Sequence, residues 1–269
     1  MDQVQARKRS HTILGSSLAF VIGATIMILL HETAHAVTGA LQGYYPTQLA
    51  FAVDYTPPPP TIPHVIALLA GPAFSLLSGV AGIVVDRFVT LFRDRPFWRM
   101  VWLWTLFASV QEGLGYLQIT AILQAGDTGQ AFALLEAPPT AYVIGTVIGW
   151  AGLPLTAWAF SVPIRALASS VDDKQDLATW PWLIGTGGLL VLMTLYVLLS
   201  PVNEPATIVA VLAGALSIGV YAPMSMMFRT KQCDAPSPPS MPWPPVAGLI
   251  TLGAFVVFNL LLTQGWIWL

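Results

Sequence analysis

The sequence predicts an all-α fold: a polytopic transmembrane helix bundle of about seven spans, with its N-terminus in the cytoplasm. The composition, the spacing of the apolar runs and the positions of the basic residues each support this prediction. Of the 269 residues, 55% are hydrophobic and only 9% are charged, whereas roughly a quarter of the residues in a soluble domain are charged. Too few charges are available to cover a water-exposed surface, so lipid must contact much of the chain.

The apolar runs give the number of predicted spans. A helix needs about 20 mostly apolar residues to cross a hydrocarbon core of about 30 Å. Seven stretches meet this requirement, namely 13–41, 63–85, 98–123, 141–164, 180–200, 206–228 and 245–267. The first stretch is longer than one crossing requires, so its distal end is expected to project or bend. Gly152 and Pro154 predict a kink in the fourth.

The positions of the basic residues test the seven-span prediction, in which successive loops lie on alternating sides of the membrane. All 11 lysine and arginine residues fall on one side of it, namely Arg7, Lys8, Arg9, Arg87, Arg93, Arg95, Arg99, Arg165, Lys174, Arg229 and Lys231. The connections 42–62, 124–140 and 201–205 contain none. Basic loops stay in the cytoplasm, so the N-terminus is predicted to be cytoplasmic and the C-terminus to lie on the outer side. We expect contacts with the lipid bilayer and no nucleic-acid partner.

The N-terminal stretch has a second interpretation. A basic segment, an apolar run and Ala34-His35-Ala36 together imitate a secretory signal with its cleavage site. The apolar run is longer than the usual signal core, and six further spans follow it. We therefore expect the first helix to be retained.

The connection 42–62 has an unusual composition. The alternation from Gln48 to Tyr55 predicts a strand, and Pro57 to Pro60 predict an extended polyproline segment. The segment is either a stiff linker or a strand at the outer rim that pairs with an extended substrate backbone.

Tryptophan residues lie near several predicted span ends. They include Trp98, Trp180, Trp182, Trp243 and Trp266. Tryptophan is enriched at membrane–water interfaces, so these residues are predicted to form an aromatic belt.

The clearest chemical signal is the HExxH sequence formed by residues 31–35. On a helix, His31 and His35 lie on one face, about one turn apart. Two imidazoles with this spacing can bind one Zn²⁺ ion. Zinc lowers the pKa of a coordinated water to about 7, and Glu32 can act as the general base that takes its proton. The alternatives are a hydrogen-bonded polar patch and a metal site without hydrolysis.

A catalytic zinc site needs a third protein ligand and one open position. His64, Glu112 and Asp127 are the candidates for this ligand, because the predicted topology brings all three toward the same half of the membrane as His31 and His35. The single cysteine excludes a cysteine-based site within one chain. Glu112 can also hydrogen-bond a histidine ligand from outside the metal's coordination shell.

These motifs resemble the site-2 protease family of intramembrane zinc metalloproteases, the M50 group. The residues from Ala70 to Ser75 (AGPAFS) resemble that family's AGPxxN element, which follows the HExxH helix. Gly126-Asp127 resembles the element that supplies the family's third ligand. The resemblance covers roughly residues 20–130 and implies that His31, His35 and Asp127 bind zinc while Glu32 is the general base.

The chain departs from the family pattern at several points. Ser75 replaces the usual asparagine, the order at residues 126–127 is Gly-Asp rather than Asp-Gly, and no NxxPxxxLDG stretch is present. The predicted site lies toward the outer half of the membrane, whereas many family members act nearer the cytoplasm. The sequence therefore resembles a divergent, minimal member.

The predicted function is that of a zinc-dependent intramembrane or juxtamembrane endopeptidase of a bacterial plasma membrane. It would use a metal-activated water to cleave membrane-associated polypeptides, with a membrane-embedded protein as the expected substrate. Residues 1–130 would form the catalytic unit and residues 131–269 the supporting helices of a single membrane domain. The alternatives are a transporter or metal permease that uses Glu32, Glu112 and the two histidines, and a catalytically inactive membrane scaffold. A transporter predicts ionisable residues along a continuous route through the membrane.

Overall fold

The computed structural model describes residues 3–123, 126–202, 204–217, 233–237, 241–243 and 245–268. The α-helices within these ranges are α1 (Gln3–Leu41), α2 (Thr61–Phe88), α3 (Pro96–Leu123), α4 (Gly126–Leu134), α5 (Pro139–Leu167), α6 (Val171–Lys174), α7 (Trp180–Leu199), α8 (Pro205–Ser217) and α9 (Val246–Leu262). A π-helical turn, Gln175–Thr179, joins α6 to α7. Three short strands, β1 (Tyr45–Gln48), β2 (Val53–Thr56) and β3 (Trp266–Ile267), form one small sheet.

The all-α membrane fold is confirmed. Among the described residues, four helical segments are long and apolar enough to cross a membrane, namely Gln3–Leu41, Thr61–Phe88, Pro139–Leu167 and Val171–Leu199. They contain the first, second, fourth and fifth predicted spans. Helix α3 corresponds to the third predicted span and packs between α1, α2 and α5.

Two predicted spans differ from the helices that the structure contains. The sixth, 206–228, coincides with α8 as far as Ser217, and the remainder lies outside the described residues. The seventh was predicted to reach residue 267, but α9 ends at Leu262. Gly265 then adopts a positive φ of 85°, which favours glycine, and the chain turns into β3.

The centre of the bundle is a cluster of aromatic side chains. The indole of Trp104 on α3 lies 5.0 Å from the ring of Phe20 on α1 and 4.6 Å from that of Phe160 on α5, measured between ring centroids. Its Nε1–H donates to Ser16 Oγ, which in turn donates to the carbonyl of Leu177 in the π-helical turn. The indole N–H of Trp104 and the hydroxyl of Ser16 are thus hydrogen-bonded within this core, as burial favours.

Trp182 belongs to this core and not to an interfacial belt. It is fully buried, and its ring lies 5.2 Å from that of Phe107. The prediction for this residue was wrong because its position near the start of a span does not reveal which face of the helix it occupies. Trp180, Trp243 and Trp266 are exposed.

Ion pairs join the ends of the helices that carry the basic residues. Arg9 at the start of α1 bonds Asp176 in the π-helical turn, with Nε and Oδ2 2.9 Å apart. Arg99 near the start of α3 bonds Asp86 near the end of α2 through both guanidinium nitrogens. These contacts hold one end of the bundle together, opposite to the C-terminal end of α1.

The loop after α1 forms a β-hairpin at that other end. The single strand predicted from Gln48 to Tyr55 is wrong, because Leu49 to Ala52 form a turn between two antiparallel strands. Leu49 and Ala50 follow one another in that turn and are both buried, so the alternating pattern does not mark one strand face. Pro60 has the extended conformation predicted for the proline-rich segment, with φ −60° and ψ 166°.

The C-terminal segment completes the sheet. β3 pairs antiparallel with β1, opposite to β2, which gives the strand order β2-β1-β3. The backbone N–H of Trp268 donates to Pro46, and its indole N–H donates to Gln48 Oε1 at 3.1 Å. Gln48 also donates to Thr33 on α1. The sheet is thereby fixed to the helix that carries the HExxH residues.

Candidate metal centre

Helix α1 carries the HExxH residues about 15 Å before its C-terminal end, since His31 precedes Leu41 by ten residues that each rise about 1.5 Å. His31 and His35 are separated by four residues and therefore face the same side of the helix. Their exposed fractions are only 1% and 5%. The imidazoles thus point into the protein, toward α2 and the start of α4, rather than into lipid.

Asp127 reaches the two histidines from the first turn of α4. Gly126 precedes it with a φ of +71°, a conformation that an L-residue rarely adopts. A Cβ at Gly126 would also overlap the ring of Tyr116. The glycine therefore allows the chain to turn sharply after α3 and to direct the Asp127 carboxylate at α1.

The three ligand atoms form a compact triangle. His31 Nε2 and His35 Nε2 lie 3.1 Å apart, and Asp127 Oδ2 lies 3.1 Å from the first and 3.2 Å from the second. Ligands at the usual zinc distances of about 2.0–2.1 Å are roughly 3.3 Å from each other in a tetrahedron. A single proton can relieve one of these close contacts between electron-rich atoms, whereas a cation centred on the triangle relieves all three. The donor set therefore fits zinc.

The other nitrogen of each imidazole is also bonded. His35 Nδ1 lies 2.7 Å from the carbonyl of Ala67 on α2. A carbonyl only accepts, so Nδ1 carries a proton, and in the neutral form of the ring the lone pair is then on Nε2, which faces the triangle. His31 Nδ1 lies 3.0 Å from Ser75 Oγ, which can accept in the same way. Contacts of this kind fix the tautomer and the orientation of metal-binding histidines.

Replacing Ser75 with alanine should therefore weaken zinc binding. The variant removes the partner of His31 Nδ1 without changing a ligand, so we expect affinity to fall by about 10-fold, the lower end for such contacts. Competition with a chromophoric chelator measures this change. Ser78→Ala, one helical turn away on α2, is the matched control, because among the described residues the Ser78 hydroxyl bonds only the backbone of Ser75. Equal affinity in both variants would contradict the assignment.

Helix α2 approaches the triangle closely at Gly71. A Cβ built on this residue would lie 2.7 Å from His31 Nε2 and closer still to His35 Nε2. Glycine is therefore required here by the space that the imidazole nitrogens occupy. This gives a structural reason for the AGPxxN-like element: Gly71 provides the room and Ser75 the hydrogen bond.

Glu32, the candidate general base, lies on α1 beside the hairpin formed by β1 and β2. Glu32 is 7% exposed and interacts electrostatically with both histidines and Asp127. Thr33 Oγ1 accepts from Gln48 Nε2 at 3.2 Å, which ties β1 to the turn of α1 beside Glu32.

Tyr55 on β2 makes a second contact between the hairpin and α1. Its hydroxyl donates to the carbonyl of His35 at 3.3 Å. Burial raises the pKa of this hydroxyl above its usual range, so it remains a donor. Gly39 is the matching position on α1, because a Cβ there would collide with the Tyr55 ring.

The remaining candidate residues lie outside the triangle. His64 at the start of α2 faces Tyr55, with ring centroids 6.3 Å apart. Glu112 is buried on α3 and accepts a hydrogen bond from Tyr116. Within the described part of the chain, the residues that could together hold a metal ion are His31, His35 and Asp127.

Sequence reasoning missed the role of Tyr116. Its ring is stacked on that of His31, with centroids 5.7 Å apart and planes at 24°. The sequence did contain a signal for this role, because Tyr116 follows Glu112 by one helical turn inside a predicted span. A buried carboxylate needs a hydrogen-bond donor, which a tyrosine at this spacing can supply.

Comparison of the chain with family models, with curated proteins and with solved structures found no match. The chemistry of the site is therefore what indicates a function for this chain.

Proposed function

We propose that this protein is a zinc-dependent intramembrane or juxtamembrane endopeptidase, with His31, His35 and Asp127 as ligands and Glu32 as general base. The observation that carries the proposal is the triangle of ligand atoms, 3.1–3.2 Å on each side, next to a buried carboxylate. Three protein ligands with a fourth position open to water or substrate are the arrangement of catalytic zinc sites, whereas structural zinc sites have four protein ligands.

His31, His35 and Asp127 would hold the zinc ion, which would supply Lewis-acid activation of a water molecule and of the scissile carbonyl. Glu32 accepts a proton from the water as its oxygen bonds to the carbonyl carbon. The same carboxyl then gives the proton to the amide nitrogen as the carbon–nitrogen bond breaks. Ser75 and the Ala67 carbonyl keep the imidazoles in the required orientation throughout. The products are a new carboxylic acid and a new amine, which become a carboxylate and an ammonium group when the acid's proton passes to the amine.

The hairpin formed by β1 and β2 is an observation in favour of a polypeptide substrate. In the described part of the chain, β2 pairs with β1 along one edge, and no strand covers its other edge. An extended backbone could pair there through main-chain hydrogen bonds. A substrate helix would have to unwind first, because its amides are protected by their own hydrogen bonds. Tyr55 joins this strand to the backbone of His35, so the bound chain would run close to the metal centre.

The membrane topology completes the proposal. Seven spans with a cytoplasmic N-terminus would put the C-terminal end of α1, the sheet and the metal centre in the outer half of a bacterial plasma membrane. The ion pairs Arg9–Asp176 and Arg99–Asp86 would then lie at the cytoplasmic side. This placement agrees with the tendency of arginine to remain in cytoplasmic segments.

A protease accounts for the charge distribution better than a transporter does. A transport route needs ionisable groups spaced across the membrane. In the described residues, Glu32, Glu112 and Asp127 gather near the C-terminal end of α1, and Asp176 bonds Arg9 at its other end. The aromatic core around Trp104 lies between these groups. An inactive scaffold would have no need of the third ligand that Asp127 offers.

Metal analysis of the purified protein tests the proposal. We expect one zinc per chain in the wild type and well under one in His31→Ala and Asp127→Ala, because two ligands cannot hold the ion against dialysis with a weak chelator. His64→Ala is the matched control and should retain the full amount. A wild type without zinc, or zinc loss in His64→Ala but not in Asp127→Ala, would contradict the ligand assignment.

A further inference from the structure

Tyr116 contacts both of the elements that converge on the metal centre. Its ring is stacked on the imidazole of His31, with centroids 5.7 Å apart. It also lies against Gly126, so closely that a Cβ there would overlap its ring carbons. One half-buried aromatic side chain thus lies between His31 on α1 and the turn that carries Asp127.

Glu112 holds this side chain in place. It precedes Tyr116 by one helical turn on α3, so the two side chains share a face. The Tyr116 hydroxyl donates to the Glu112 carboxylate. Glu112 is only 8% exposed, so the hydrogen bond also satisfies an acceptor that has little access to water. With the hydroxyl bonded and the ring packed, Tyr116 has little freedom to rotate.

We infer that Tyr116, held by Glu112, is a positioning residue that fixes the orientation of His31 and its distance from Asp127. This inference rests on the proposed function, because it assigns a role within the same site. Tyr116 acts through the two ligands, as neither a ligand nor a proton carrier.

The geometry explains why His31 needs this contact. The torsion that rotates an imidazole about its Cβ–Cγ bond is broad, so a single hydrogen bond leaves the ring some freedom. The Ser75 contact fixes one nitrogen of His31, and the stacked tyrosine fixes the plane of the ring. Together they direct Nε2 at the centre of the triangle.

Zinc affinity and the visible spectrum of the cobalt-substituted protein test the role of the ring. Tyr116→Leu should lower affinity by about 10–100-fold, the range for residues that orient metal ligands. Its cobalt spectrum should also change, because the spectrum reports ligand geometry. Tyr116→Phe keeps the ring, so its spectrum should match the wild type and its affinity should fall by less than about 10-fold.

Tyr142→Leu is the matched control. Tyr142 is also half-buried and packs against Phe132 of α4, with ring centroids 5.3 Å apart, but it touches neither His31 nor Gly126. Its affinity and cobalt spectrum should equal those of the wild type. Equal values in Tyr116→Leu as well would overturn the inference.

Variants of Glu112 test whether Glu112 holds Tyr116 in place. They remain informative even when Tyr116→Leu does not fold. Glu112→Leu removes the acceptor and should lower zinc affinity as much as Tyr116→Phe, with no further loss when the two are combined. Glu112→Gln keeps an acceptor oxygen and should match the wild type. A further loss in the double variant, or loss of bound zinc in Glu112→Gln, would overturn the assigned role.

The outcomes separate this inference from the proposed function. A wild type that binds no zinc overturns both. Zinc binding with cleavage that depends on Glu32, together with an unchanged metal site in Tyr116→Leu, overturns the positioning role alone.

Discussion

Replacing Glu32 with glutamine should reduce peptide-bond cleavage by about 10²–10⁴-fold, the usual contribution of a general base, while zinc remains bound. Glutamine has nearly the same shape as glutamate but cannot accept a proton from water at neutral pH. None of the three ligand atoms belongs to Glu32, so the metal content should stay at the wild-type level. Cleavage of membrane-anchored reporter polypeptides in proteoliposomes measures the first quantity, and metal analysis of the same preparation measures the second.

Glu204→Gln provides the control for this experiment. Glu204 is exposed and directly precedes α8, far along the chain from the metal centre, so its substitution should leave cleavage unchanged. Undiminished cleavage in Glu32→Gln would contradict the role of Glu32. Loss of zinc in that variant would instead indicate that the carboxylate binds the metal.

Replacing Gly71 with alanine should remove zinc from the protein. The new methyl group would lie 2.7 Å from His31 Nε2 and nearer to His35 Nε2, in the space between α2 and the ligands. The imidazoles can avoid it only by moving apart, which destroys the spacing that a tetrahedral ion needs. We expect affinity to fall by more than the roughly 100-fold that is typical for the loss of a supporting hydrogen bond.

Gly79→Ala separates this effect from crowding of the helix. Gly79 lies about two turns further along α2 and faces α3, and a Cβ there would be 2.8 Å from the backbone nitrogen of Val110. Both variants should therefore lose about 1–3 kcal/mol of stability through overpacking. Only Gly71→Ala should lose zinc. Equal zinc binding in the two variants would show that Gly71 has no special relation to the ligands.

The sequence predicted the class of fold because that information is local. Runs of about 20 apolar residues specify membrane helices regardless of what packs beside them. The HExxH spacing likewise puts His31 and His35 on one face of α1 from helix geometry alone. The local pattern gave less information where burial depends on distant partners: Trp182 packs against Phe107, and Leu49 and Ala50 turn inward from the hairpin.

The residues that support the metal centre were hidden for the same reason. Ser75 is 44 positions from His31, and Asp127 is 96 positions from it. The predicted topology made Asp127 one of three candidate ligands and the resemblance to a known motif favoured it, but Ser75 counted only as a departure from that motif. The bond from Ser75 to His31 follows from the close approach of α2 at Gly71, and no pattern in residues 70–75 reveals which side of the helix faces α1.

The pairing of β3 with β1 constrains the order in which the newly made chain can fold. Gln48 and its partner Trp268 are 220 residues apart, and a ribosome adds about 5–20 residues per second. The HExxH helix and its hairpin are therefore synthesised roughly 10–40 s before the third strand is available to pair with β1. During that interval the contact between Gln48 and Thr33 lacks the support of the Trp268 indole. The three-stranded sheet beside the HExxH helix is therefore complete only after residues 266–268 have been synthesised.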